Sequence, residues 1–117
     1  MKEETSASSI IRKYQSATVE EVMDMSPSVI SAEQLILASK LHEATLIRIK
    51  AERIMANKWA ELRVSSETDG QANNAIKQTQ EYEDVQVAKN NEKTVIEVIR
   101  SMKKLIASRI EEARNQI

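Results

Sequence analysis

The chain has no cysteine and no phenylalanine, and only one glycine (Gly70) and one proline (Pro27) in 117 residues. Without cysteine there are no disulfides, no thiol catalysis and no cysteine-ligated metals. A single glycine cannot build a phosphate-cradling loop of the Walker or the dinucleotide type. A chain so short of helix breakers is expected to form long helices. Aromatic residues are limited to Trp59, Tyr14 and Tyr82. The core must therefore come from Leu, Ile, Val, Met and Ala, which suits helix seams better than a globule anchored by rings. No apolar run approaches the ~20 residues needed to span a bilayer, and the polar start MKEET is unlike a signal peptide. The expectation is a cytoplasmic protein with no membrane role.

What is present organises as an all-α chain. Residues 1–17 are polar and serine-rich and read as a flexible N-terminal arm, and 18–117 as a single helical domain. Thr18 opens a capping box with Glu21, in which the hydroxyl accepts one amide and the carboxylate reaches back to the other. A short helix over 19–25 follows, with Val19, Val22, Met23 and Met25 to bury, and it is stopped by Ser26-Pro27 because the residue before proline is steered away from the helical region. Ser31 and Gln34 form a second capping pattern at the start of a long helix over 31–64. A loop over 65–72, hinged at Asp69-Gly70, leads into a second long helix over 74–115, whose first two turns are polar. The architecture expected is a short N-terminal helix plus a long antiparallel hairpin, assembling as an oligomeric helical bundle.

The assembly follows from the apolar pattern. At 100° per residue, Leu37, Leu41, Ala44, Ala51, Met55, Trp59 and Leu62 share one stripe of the first long helix, and Ile36, Ile47 and Ile54 widen it on one side. Leu35, Leu46 and Ile49 fall on a separate patch more than a quarter turn away, which a lone hairpin cannot cover. On the second helix Val85, Ala88, Val95, Ile99, Met102, Ile106, Ile110 and Ala113 recur at helical spacing. A 34-residue helix is ~50 Å long, beyond a compact domain of this size, so the surplus faces call for further copies. Arg48 and Glu92 interrupt the two stripes. Folding back about residue 70 pairs positions whose numbers sum to about 140, so these two are expected to meet across the seam. Trp59 is expected as an anchor in the core or at an interface.

No enzyme constellation emerges. His42, the one histidine, has no carboxylate at metal-ligand spacing, and the serines have no base to activate them. Glu81, Glu83 and Asp84 point in different directions on a helix and lack a loop to wrap a cation. Neither a catalytic residue nor a metal or cofactor is expected. Net charge is −1, but unevenly placed. Residues 40–63 carry Lys40, Arg48, Lys50, Arg53, Lys58 and Arg63 against Glu43, Glu52 and Glu61. Such a stretch is either a solvated face or a phosphate-tracking surface. On the second view Lys50, Arg53, Lys58 and Arg63 are the binding candidates, multiplied by oligomerisation.

The order of segments adds a family. The run TVEEVMDM from Thr18, then SPSVISAEQLILAS over 26–39, then a basic helix ending KAERIMANKWAELR at 50–63, resembles the UvsY-type recombination mediators of T-even-like phages. The closing VIEVIRSMKKLIASRIEEARNQI over 95–117 is similar to that family's C-terminal helix. The resemblance implies a phage protein in the host cytoplasm that forms rings and binds single-stranded DNA. It also implies a protein that helps a recombinase displace single-strand-binding protein. By position it assigns Lys58 and Arg63 to the basic end of the family's first long helix. A helical assembly or adaptor protein, acting only through protein contacts, explains the apolar faces equally well.

Overall fold

The computed structural model describes residues 6–115, apart from the side chains of Val19, Met23, Arg109, Glu112 and Ala113. These residues form five helices, α1 (Ala7–Ser16), α2 (Val19–Met23), α3 (Pro27–Ser65), α4 (Asp69–Ile76) and α5 (Gln80–Asn115), with no strand among them. The all-α class and the two long helices are as expected. Residues 1–5 of the expected arm, and the burial expected for Val19, Met23 and Ala113, lie outside the described part.

Several boundaries differ from the sequence reading, each for a local reason. The expected arm is a helix over Ala7–Ser16. The Ser6 hydroxyl caps it by accepting the Ser9 amide at 3.2 Å, and Ile10 is buried to 2% exposure. α2 starts as expected, with both halves of the Thr18–Glu21 capping box present at 3.1 and 3.2 Å. α3 then starts four residues earlier than the Ser31 pattern indicates. Pro27 occupies its first turn, where the missing N–H costs nothing, and the Ser26 carbonyl accepts the Ile30 amide at 3.1 Å.

The hinge is the largest revision. Gly70 lies inside α4 with no positive φ, so the turn sits at 66–68 instead. Thr68 caps α4 by accepting the Gln71 amide at 3.2 Å, and the Gln71 side chain accepts the Glu67 amide at 2.8 Å. The polar start expected for the second helix is a separate short helix. It ends at Lys77, and Thr79 starts α5 by accepting the Tyr82 amide at 3.3 Å.

The helices divide into two compact units, Met1–Leu41 with Thr94–Ile117, and His42–Lys93. In the first, Ile10, Ile30, Leu37, Val95, Val98, Ile99 and Met102 form a buried cluster, with Ile11, Tyr14, Met25, Ile36, Leu41 and Ile106 packed around it. Each fully buried aliphatic side chain contributes about 1.5–3 kcal/mol, so this unit has a true apolar core. Glu33, only 7% exposed, is buried beside it. Its carboxylate accepts from Lys13 Nζ at 2.9 and 3.0 Å and from the Tyr14 hydroxyl at 3.0 Å. The buried charge is thereby paired and hydrogen-bonded, as burial requires, and the same contacts fasten α1 to α3.

In the second unit, α3, α4 and α5 bury Ala44, Ala72, Ile76, Val85 and Ala88. Three of these five are alanine, so helices approach closely but little apolar surface is removed from water. Polar contacts therefore carry much of the specificity of pairing there.

Candidate interaction surface on helix α3

The polar seam of the second unit centres on Arg48, and the contact expected with Glu92 is present. Arg48 Nε donates to Glu92 Oε1 at 2.8 Å, and Thr45 Oγ1 donates to the other carboxylate oxygen at 2.6 Å. A second guanidinium nitrogen pairs with Glu52 one turn further on. The Thr45 hydrogen bond, then Arg48, hold the Glu92 carboxyl below its ordinary range. Glu92, then Glu52, raise the Arg48 guanidinium. Neither sequence stripe indicated Thr45 or Glu52, although both lie within one turn of Arg48 on the same helix.

Trp59 also has a partner within this unit. Its indole N–H donates to Asn73 Oδ1 at 2.8 Å, tying α3 to α4, with the ring half-buried. Asn73 carried no signal in sequence, because the expected loop hid the helix it stands on.

The four basic candidates are not brought together. Taking 100° per residue, Lys50 and Arg53 lie about 60° apart, while Lys58 and Arg63 extend the spread to about 220° of the helix circumference. Arg63 is committed to the turn: its Nε pairs with Asp69 and its terminal nitrogen donates to the Ser66 carbonyl at 3.0 Å. Lys58 lies 3.7 Å from Glu61 on its own helix. Lys50 and Arg53 are exposed and make no ion pair among the described residues. Lys50 nonetheless borders a shallow groove with Ile47, Ala51 and Ile54, whose far wall is Glu81 and Asp84. Its local field is therefore mixed rather than positive.

The apolar side of α3 is the stronger feature. Leu46, Ile47, Ile49 and Ile54 are 54%, 51%, 41% and 47% exposed within nine residues of one helix. Single exposed aliphatics are ordinary, but Leu46, Ile47 and Ile54 lie within about 100° of arc, with Ile49 about 60° beyond Leu46, and a cluster of large ones marks a contact surface. Of the three patch residues read from sequence, Leu46 and Ile49 belong to this set. Leu35, 74% exposed, belongs to the other unit. Ile47 and Ile54 were read as widening the inner stripe, yet they face outward.

Among the described residues no three His, Cys, Asp or Glu side chains are grouped to hold a metal ion, and no helix is long and apolar enough to cross a membrane. No protein-family model matches this chain, and no curated protein or solved structure is significantly similar to it.

Proposed function

We propose that the protein is a non-enzymatic helical assembly or adaptor protein, working through protein contacts made by the outer face of α3. The observation that carries this reading is the row of large exposed aliphatics Leu46, Ile47, Ile49 and Ile54. A partner covering them would gain at ~25 cal/mol per Å² of apolar surface removed from water. The surface needs neither a cofactor nor a reacting group.

A second reading is the single-stranded DNA mediator suggested by the family resemblance. The observation favouring it is that Lys50 and Arg53 stand exposed on neighbouring parts of the same helix. A recombinase and a single-strand-binding protein as partners, and the host cytoplasm as the place of action, belong to this reading alone.

Sedimentation and binding of labelled oligo-dT, at low and moderate salt, separate the two. The first reading expects association that Leu46→Glu with Ile54→Glu abolishes, and no tight oligo-dT binding. It fails if oligo-dT binds tightly, weakens steeply with salt and is lost in Lys50→Glu/Arg53→Glu, while the aliphatic substitutions leave association unchanged.

A further inference from the structure

The geometry points to a second copy of this chain as the occupant of the α3 face, docked antiparallel about a two-fold axis between Leu46 and Ile47. The inference rests on the reading of α3 as an assembly surface and adds its partner, direction and register. Glu43, Leu46, Ile47, Lys50 and Ile54 fall within about 100° of arc on α3, and all are exposed. The face is thus two central aliphatics with a carboxylate one turn before them and an ammonium one turn after.

Charge order decides the direction. In a parallel pair each residue meets its own twin, so Glu43 would face Glu43 and Lys50 would face Lys50, and like charges opposed across a close interface repel. In an antiparallel pair centred between positions 46 and 47, partners have numbers summing to 93. Glu43 then meets Lys50 of the second copy, and Lys50 meets Glu43, giving two opposite-charge contacts on either side of the axis. Leu46 meets Ile47 of the second copy at the centre, and each lies only ~1.5 Å along the axis from its own counterpart. The order of charges along this face is self-complementary, which a two-fold interface requires. Neither side chain of the charge pair needs to leave water fully, so the aliphatic centre supplies affinity and the charges supply register.

The absence of cysteine makes the test direct, since single-cysteine variants of the full chain report only the position chosen. A disulfide needs Cα atoms within about 7 Å. Leu46→Cys and Ile47→Cys should therefore each cross-link to a dimer under mild oxidation. Asn57→Cys should not, because the two copies of residue 57 would be ~31 Å apart along the helices. Glu43→Lys and Lys50→Glu should each raise the dimer dissociation constant at least tenfold by sedimentation equilibrium, and the double exchange Glu43→Lys/Lys50→Glu should restore it. Circular dichroism should show each variant still helical, so that loss of the dimer is distinguished from loss of the fold.

A chain that stays monomeric at millimolar concentration overturns the inference. Strong cross-linking through Asn57→Cys overturns the antiparallel direction. A dimer that Leu46→Glu dissociates, but whose charge exchange is not rescued, overturns the register while leaving the assembly face intact. A dimer indifferent to Leu46→Glu with Ile54→Glu removes the assembly face itself.

Discussion

Gly70 has helical backbone angles, and a β-carbon there would meet only the Thr68 hydroxyl oxygen at 3.8 Å, an ordinary contact. Its flexibility therefore costs stability without serving the fold. Gly70→Ala should raise unfolding free energy by about 0.5–1 kcal/mol, mostly by restricting the unfolded chain. A lower urea midpoint in the variant would mean that residue 70 does act as a hinge. Glu92 supplies a pH dependence of definite sign. Its folded carboxyl lies below the ordinary value of 4.5, because the folded state favours the charged form. The stabilisation is thus complete above that ordinary value and is lost as pH falls through the depressed one. Thermal melts from pH 6 down to pH 2 should show an acid loss that is shallower in Glu92→Gln, whose amide oxygen can still accept from Thr45. Equal slopes would show that the seam carboxylate contributes nothing to acid sensitivity.

Among the elements, α1 shows most clearly what was hidden in the sequence. Its serine-rich composition reads as an arm, but Ile10, Lys13 and Tyr14 recur at three- and four-residue spacing, and α3 offers both an apolar site and the buried Glu33. Only tertiary contact reveals that complement. Ile10→Ala should lower stability by about 2 kcal/mol, the small end for a buried isoleucine, because a terminal helix can undock before the core opens. Native-state hydrogen exchange that leaves α1 unaffected would count against the docking. Burial first, then the hydrogen bond and charge of Glu33, raise the Tyr14 hydroxyl above its usual range. Its share of stability is therefore present below pH 10 and fades as the solution becomes more alkaline. The turn between the long helices is legible in sequence: Thr68-Asp69-Gly70-Gln71 is a Thr-x-x-Gln capping pattern, which the lone glycine within it obscures. Arg48–Glu92 was legible because hairpin arithmetic needs only a centre, and a centre of 70 suffices even though the bend falls at 66–68. The inner stripes located Leu37, Val85, Val95 and Met102 correctly. They placed Ile47 and Ile54 on the wrong side, because α3 is apolar around most of its circumference and periodicity alone cannot choose which side is covered.

For the whole molecule, charge is better treated as a count of cations free to meet phosphate than as a net sum. Of the four basic candidates, Arg63 is bound to Asp69 and the Ser66 carbonyl, and Lys58 lies near Glu61. Lys50 and Arg53 remain. Each phosphate neutralised on a single strand contributes about −0.7 to the slope of log affinity against log salt. Two available cations therefore limit α3 to a slope of about −1.4 per protomer, whereas all four acting together would give about −2.8. Oligo-dT titrations across a salt series, with the slope divided by the number of protomers bound, measure this directly. Arg63→Ala should leave that slope unchanged and lower stability by freeing the turn, while Lys50→Glu/Arg53→Glu should flatten it. A slope near −2.8 that falls in Arg63→Ala would mean that Arg63 leaves Asp69 for phosphate and the turn is itself part of a nucleic-acid surface. A slope near zero would leave the exposed aliphatics of α3 as the only feature of that helix with a partner to explain.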